Sequence, residues 1–214
     1  MTRPGASLSS LFGRAVERAA TAETNDDADA HIFDAALTVL AERGTRLATM
    51  DDVATASGVS RATLFRRFGG KDALFETALA HELRRFLDSI ANTFLVVTDP
   101  TERIAEAFVA CVQLRARALR RRSSPDYGWE LLAILEQGDP ALLEIGRRFI
   151  AAHIVAGQAE GVLPQGNSDM QAEAIIRLTL GYLLAGNPRF DIDQPDVARE
   201  VARRTIAPLV TGVL

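Results

Sequence analysis

The chain has 214 residues, a formal net charge of −4 and one cysteine. The acidic balance argues against a protein that coats nucleic acid non-specifically, and the single thiol, Cys111, excludes an internal disulfide and fits a reducing, cytoplasmic compartment. No run of about 18 apolar residues is present, so we expect no membrane span, and the N-terminus has no apolar signal region. With 48% hydrophobic residues, the composition is that of a globular protein of one or two domains.

The position of the charges is more informative than their total. Residues 31–71 carry six basic and four acidic side chains, whereas residues 72–214 carry fifteen basic and nineteen acidic ones. Residues 1–30 carry three basic and five acidic side chains. A basic segment in an acidic chain is the electrostatic pattern expected of a protein that reads a nucleic-acid sequence.

Residues 1–26 form an N-terminal extension whose structure the sequence leaves open. Apolar residues recur at helical spacing, which predicts an extra amphipathic helix, at Leu8, Leu11, Phe12, Ala15, Val16 and Ala19. The alternatives are a disordered arm and an arm that places Arg14 or Arg18 near DNA.

A first core helix is predicted from about Asp27 to Arg43, ending at Gly44. Its buried stripe consists of Ile32, Phe33, Ala36, Leu37 and Leu40.

Residues 49–68 then predict two short helices that meet at a tight turn. Thr49 is a good N-cap, with Asp52 at the capping-box position. Gly58 permits the positive φ of a turn, and Ser60 caps the second helix. In that helix Leu64 and Phe68 lie four residues apart on the inner face, and Arg61, Arg66 and Arg67 point outward. This combination predicts a helix-turn-helix, and the alternative is a surface helix pair with a solvated basic face.

The segment GVSRATLFRRFGGKDALF, residues 58–75, resembles the signature of the TetR family of repressors. The resemblance extends over about residues 27–86. Two positions depart from the family pattern, which usually has Tyr at Phe65 and often has His at Arg67. Phe65 has no hydroxyl to donate to a phosphate, whereas Arg67 keeps a donor and adds a permanent charge.

The resemblance implies an all-α fold of about nine core helices, with the extra N-terminal helix as an addition. It divides the chain into the extension 1–26, a three-helix DNA-binding domain at 27–86 with its motif at 49–68, and a domain at 87–214 for ligand sensing and dimerisation. The function implied is a sequence-specific transcriptional regulator, a ligand-released repressor that binds a near-palindromic operator as a homodimer.

The predicted DNA-binding residues surround the second helix of the motif. Arg61 is the first candidate for a base contact, because guanidinium pairs bidentately with guanine. Ala62, Thr63 and Phe65 should face the major groove, and Thr49, Arg67 and Lys71 should hold phosphates. Ser60 and Arg66 complete the set. Lys71 stands at the start of a helix, where free N–H groups also favour an anion.

Beyond Lys71 the pattern predicts further helices over about 71–94, 101–122, 129–136, 139–160, 168–186 and 195–210. The helix over 101–122 ends in five arginines, which suits the helix dipole at a solvated end. The alternative places this end beside the DNA-binding domain or near an acidic ligand group. Ser168 is the predicted N-cap of its helix, with Gln171 at the capping-box position.

The resemblance implies an effector pocket in the second domain, for a small and mostly apolar or aromatic ligand. The candidate lining residues are Phe94, Phe108, Cys111, Gln113, Trp129, Phe149 and His153. For each aromatic residue the alternative is ordinary core, and for Cys111 it is a small buried hydrophobe.

Homodimerisation is predicted through the last two helices, over about 168–186 and 195–210. Gly181 lies in the middle of the first, where glycine is unfavourable by about 1 kcal/mol relative to alanine. Close approach of a second copy would explain this glycine, and so would a packing requirement within one chain.

Catalytic and metal-binding patterns are absent from the sequence. The three histidines, His31, His81 and His153, have no ligand spacing, and no nucleophile or phosphate-loop motif occurs. We therefore expect no enzyme activity, no metal and no cofactor. Two other functions remain open, a helical scaffold whose basic helix binds an acidic partner and, less favoured, a helical enzyme.

Overall fold

The computed structural model describes residues 10–11, 13–15, 18, 29–119, 132, 135–136, 141–185 and 189–212. In the described ranges from Ala30 onward we number nine α-helices: α1 Ala30–Leu47, α2 Met50–Ser57, α3 Arg61–Phe68, α4 Lys71–Val96, α5 Pro100–Leu114, α6 Leu142–Ala159, α7 Ser168–Leu184, α8 Pro195–Val201 and α9 Pro208–Thr211. Two π-helical turns, Arg115–Leu119 and Ala202–Ile206, follow α5 and α8 directly. The all-α prediction is confirmed.

The chain forms two compact units. One comprises Met1–Leu87 together with Leu114–Ile134, and the other comprises Asp88–Gln113 together with Leu135–Leu214. Helix α4 contributes to both units. The domain limits 27–86 and 87–214 stay a prediction.

The core of the first unit is built on the apolar stripe of α1. All five residues predicted for this stripe are buried, and so are Leu74, Phe75 and Leu79 of α4. Phe33 lies at the centre, because its ring contacts Phe68 of α3 at 5.9 Å and His81 of α4 at 5.0 Å between centroids. One residue of α1 thus contacts both α3 and α4.

Helix α1 is interrupted at the glycine that the sequence predicts as its end. Gly44 has φ 68° and ψ 170°, outside the helical region, and the chain makes one further turn to Leu47. Positive φ is unfavourable for residues with a Cβ, so glycine at this position permits the bend into α2.

The described part of the N-terminal extension is helical and packs on the first unit. Leu11 and Ala15 are buried. Arg14 Nε donates to Glu76 Oε2 at 2.8 Å, and Arg18 Nη1 lies 3.7 Å from Glu76 Oε1. The apolar spacing therefore marks a docked helix, whose two arginines pair with α4.

The arginine-rich end of the predicted helix 101–122 lies in the first unit as far as it is described. The π-helical turn Arg115–Leu119 packs on α1, and Arg117 Nη1 lies 3.9 Å from Glu82 Oε1. Glu82 is a buried carboxyl whose pKa is raised by burial, although Arg117 and Arg85 oppose this shift. Arg117 thus lies in the same unit as the DNA-binding segment, and its side chain is also exposed to solvent; residues 120–122 lie outside the described part.

The second unit is held by an apolar core and by ion pairs between distant helices. Phe108, Ile154, Ile175 and Ile206 are among its buried residues. Helix α5 carries Glu102 and Glu106, one turn apart. Arg203 binds Glu102 through two hydrogen bonds of 2.8 and 2.7 Å, and Arg199 Nε donates to Glu106 at 2.6 Å. These ion pairs join α5 to α8 and to the π-helical turn that follows α8.

Helix α7 begins one residue earlier than the sequence predicts. Its N-cap is Asn167, whose side chain accepts a hydrogen bond from Met170 N at 3.0 Å, and Ser168 is already helical. Gln171 serves a different purpose from capping, because its Nε2 donates to Leu209 O at 3.0 Å and joins α7 to α9.

Within the described ranges, no helix is both long and apolar enough to cross a membrane. The short helix predicted over 129–136 lies largely outside the described residues.

Candidate nucleic-acid interface

Helix α2 starts with the capping box that the sequence predicts. Thr49 Oγ1 accepts from Asp52 N at 3.1 Å and donates to Asp52 Oδ2 at 2.7 Å, and Thr49 N donates to the same carboxylate oxygen at 2.9 Å. The hydrogen bonds lower the pKa of Asp52 from its usual value, with the Thr49 hydroxyl as the main cause. The start of α2 is therefore fixed by local interactions.

The turn between α2 and α3 follows from one glycine and one serine. Gly58 caps α2 in the left-handed region at φ 71°. Ser60 caps α3, since its Oγ accepts from Thr63 N at 3.2 Å and lies 2.9 Å from Thr63 Oγ1. Gly69 ends α3 at φ 75°, with its N–H bonded to Phe65 O at 2.8 Å. The caps thus define where α2 ends and where α3 begins and ends.

The inner face of the pair is largely buried. Val53 of α2 and Leu64 of α3 are both 0% exposed, and Phe68 contacts Phe33 edge to face. These apolar contacts hold α3 against α1 and α2, so its opposite face is free to meet a ligand.

The outer face of α3 carries the predicted contact residues in exposed positions. Arg61, Ala62, Phe65, Arg66 and Arg67 are exposed, whereas Thr63 is half-buried. The structure thus brings most of the predicted set onto one side of a single helix. Such a surface suits the major groove, which admits one α-helix.

Two of the outer arginines have carboxylate partners that the sequence analysis missed. Arg61 Nη1 donates to Asp51 Oδ2 at 2.8 Å, and its Cζ lies 5.4 Å from the centroid of the Phe65 ring. Arg67 Nη2 lies 2.7 Å from Asp29 Oδ1, just before α1. The partners in these two pairs are 10 and 38 positions apart in the sequence. Such separations give no local sequence signal, so only the folded structure shows the pairs.

The predicted phosphate contacts at Thr49 and Lys71 also have internal partners. The Thr49 hydroxyl is engaged in the capping box, and Lys71 Nζ donates to Thr45 O at 2.9 Å. A lysine has three donors, so two remain. Arg66 differs from both, because it has no ion pair or hydrogen-bond partner among the described side chains.

In the second unit, three of the predicted effector residues form one aromatic cluster. The Phe94 ring lies 5.1 Å from Phe149 and 4.2 Å from His153, and Phe149 lies 4.2 Å from His153 between centroids. The Arg103 guanidinium, which the sequence analysis did not single out, lies 5.4 Å from the Phe94 centroid. Phe149 is partly exposed, so the cluster reaches the surface of its unit.

The other effector candidates lie elsewhere or outside the described residues. Phe108 is a core residue that meets Tyr182 edge to face at 5.8 Å. Burial raises the pKa of the Cys111 thiol to about 12, so it stays a neutral thiol at physiological pH. Gln113 is exposed, and Trp129 lies outside the described part.

These features define a class of protein: a helix-turn-helix module of the DNA-binding type within an all-helical chain. Residues 32–78 match the family described as "Bacterial regulatory proteins, tetR family". The resemblance to the TetR family is thereby confirmed, and it is carried by this module.

Curated relatives match part of the chain. A stretch of 64 residues is 41% identical to the regulator MftR of Mycobacterium tuberculosis, covering 28% of this chain and 32% of that protein. A stretch of 83 residues is 31% identical to an uncharacterised HTH-type transcriptional regulator of the same species, MT1294, covering 39% of this chain and 41% of that protein. The chain thus spans well under half the length of these relatives.

Solved structures extend the likeness to the whole fold. A TetR-like transcriptional regulator from Rhodococcus sp. RHA1 superposes with a TM-score of 0.58 at 17% identity, covering 87% of this chain and 96% of that one. A transcriptional regulator from Cytophaga hutchinsonii gives 0.59 at 17% identity, covering 87% and 100%. At this identity the likeness concerns the fold alone, an N-terminal helix-turn-helix followed by a helical domain.

Proposed function

We propose that the protein is a transcriptional regulator that binds a specific duplex DNA sequence as a homodimer and releases it when a small effector binds. The observation that carries DNA binding is the exposed outer face of α3, fixed at both ends by caps and from behind by Leu64. Similarity to TetR-type regulators supports the same function.

In this proposal α3 enters the major groove with its N-terminal residues towards the bases. Arg61 reads a base, and Ala62, Thr63 and Phe65 lie along the groove. Arg66 is the best placed phosphate contact, because no acidic group neutralises it among the described residues. Ser60, Thr49, Arg67 and Lys71 flank this surface and remain proposed contacts, although the last three also support the fold.

Arg61→Ala should weaken operator binding by about 1–3 kcal/mol and relax the preference at one base pair, because it removes a base contact. The operator is first selected from random duplex DNA with purified protein. Affinities for it and for its single-base variants are then measured across a salt series.

Arg66→Ala is the matched control, since it is the same change one turn along the same helix. We expect it to weaken binding to all DNA sequences alike and to reduce the slope of log affinity against log salt concentration by about one. If Arg61→Ala left both affinity and base preference intact, Arg61 would not be a base contact. A protein without any sequence preference would instead favour the scaffold alternative, in which the basic helix binds an acidic protein.

The effector site proposed here is the aromatic cluster of Phe94, Phe149 and His153. Aromatic rings offer apolar area, and His153 adds a polar group whose Nδ1 lies 2.9 Å from Phe149 O. Ligand sites commonly combine an apolar lining with a few polar groups. We therefore propose a small, mostly apolar or aromatic effector.

Effector binding would act through a population shift. In one form of the dimer, the two α3 helices are wrongly spaced for the operator. A ligand that binds this form better than the DNA-binding form lowers operator occupancy, and the size of the effect is set by the difference between its two affinities. A screen of small aromatic compounds by Trp129 fluorescence and thermal shift, with Phe149→Ala as control, tests the site. A compound that binds wild type at this cluster and leaves operator affinity unchanged at saturation would contradict the release mechanism.

The homodimer is proposed to pair through the last two predicted helices, over about 168–186 and 195–210, with α7 at the centre of the interface. On α7 Met170 is 70% and Leu178 is 38% exposed. A Cβ built at Gly181 would meet no described atom within 4 Å, so packing in the described part of the chain does not require this glycine. Exposed apolar side chains beside a small residue suit a helix–helix interface.

A further inference from the structure

We propose that Asp51 and Phe65 determine specificity by holding Arg61 in the orientation that reads a base. The inference rests on the proposed DNA-binding function, adds Asp51 to the residues of that surface and gives Phe65 a second role there. Its observation is the double restraint on one guanidinium, by the Asp51 carboxylate at 2.8 Å and by the Phe65 ring at 5.4 Å.

A contribution of the Arg61–Asp51 ion pair to the stability of the fold does not explain why this restraint is present. The side chains of Arg61 and Asp51 are 58% and 62% exposed, and ion pairs this exposed typically contribute little to stability. A carboxylate near the DNA-binding face also repels phosphates and so lowers affinity for every sequence. The Asp51 carboxylate therefore lowers the affinity for DNA, and its presence on this face points to a role in selectivity.

The donor geometry of arginine shows how such a role works. A guanidinium has five N–H donors, and Asp51 engages Nη1. The edge formed by Nε and Nη2 stays available, and a bidentate pair with guanine O6 and N7 needs two donors side by side. The Phe65 ring supports the guanidinium by a cation–π contact and limits the directions in which this edge can point.

Without the restraint, the long Arg61 side chain can swing to a phosphate. Phosphate contacts add affinity but carry no sequence information. Asp51 and Phe65 therefore lower the affinity for non-specific DNA and increase the discrimination at one base pair. Phe65 has no hydroxyl to donate to a phosphate, so its contribution is the ring that lies under Arg61.

The test compares the selected operator, its variants at the base pair read by Arg61 and an unrelated duplex. Asp51→Asn should reduce discrimination at that base pair about five-fold or more, raise affinity for the unrelated duplex and steepen the salt slope by about 0.9. Phe65→Leu should reduce the same discrimination without changing the salt slope. Asp51→Glu should restore discrimination, because it keeps the carboxylate.

Glu42→Gln is the control for charge, since Glu42 is an exposed carboxylate on α1. It should leave discrimination unchanged. If Asp51→Asn raised affinity for all duplexes equally and kept full discrimination, Asp51 would act only by repulsion and the inference would be overturned while the proposed function stood. A wild-type protein with no sequence preference would instead contradict the proposed function.

A measurement without DNA separates the two outcomes further. The Arg61 Nε–H resonance, assigned with Arg61→Lys, reports side-chain mobility by NMR relaxation. We expect a restrained Arg61 in wild type and a mobile one in Asp51→Asn and Phe65→Leu. Equal mobility in all three proteins would overturn the restraint itself, whatever the DNA result.

Discussion

Leu64→Ala should destabilise the first unit by about 2–5 kcal/mol, because it removes a fully buried side chain and leaves a cavity. Leu64 is 0% exposed and is the one buried residue of α3. This loss is a large fraction of the stability of a small domain. We expect a lower denaturant midpoint and loss of operator binding at temperatures where wild type binds fully.

The control is Leu47→Ala, the same change at a residue that is 72% exposed at the end of α1. Surface substitutions of this kind usually change stability by less than about 0.5 kcal/mol. Chemical denaturation followed by circular dichroism measures both variants. Equal stability of Leu64→Ala and Leu47→Ala would mean that α3 is not held by its inner face, and the position of the whole outer surface would then be in error.

Leu178→Arg should convert the proposed dimer to a monomer and reduce operator affinity by about 100-fold or more. A charged side chain in the centre of an apolar interface has no partner on the second copy. A monomer also loses the effective concentration that two linked half-site contacts provide, which is commonly 10²–10⁴ in affinity. Sedimentation at micromolar concentration gives the mass, and titration of the operator gives the affinity.

Leu95→Arg is the matched control, because Leu95 is 83% exposed and lies on α4, outside the proposed interface. It should leave mass and operator affinity unchanged. Monomeric wild type, or a dimeric Leu178→Arg protein, would show that α7 is not the interface.

Gly181→Ala separates the two explanations of that glycine. In the monomeric Leu178→Arg background it should raise the free energy of unfolding by up to about 1 kcal/mol, because alanine is the better helix former and the space beside Gly181 is open. In wild type it should weaken the dimer. A destabilised monomer would indicate a packing requirement within one chain.

The helix-turn-helix was predictable because each of its determinants is local. The caps Thr49 and Ser60, the turn at Gly58 and the inner pair Leu64 and Phe68 all act within one or two helical turns. The one-residue error at the start of α7 has a different origin. Asn167 and Ser168 are both good N-caps, and Gln171, which would complete a capping box with Ser168, binds Leu209 O across 38 residues of sequence instead.

The partners of the charged side chains were decided by the tertiary structure. Arg67 meets Asp29, Lys71 meets the carbonyl of Thr45, and Arg199 meets Glu106 across 93 residues of sequence. The sequence determined that basic side chains lie on the outer face of α3, because helical periodicity alone assigns them there. Which of them are neutralised, and which remain available for a phosphate or a base, depends on long-range packing that brings distant elements within hydrogen-bond distance.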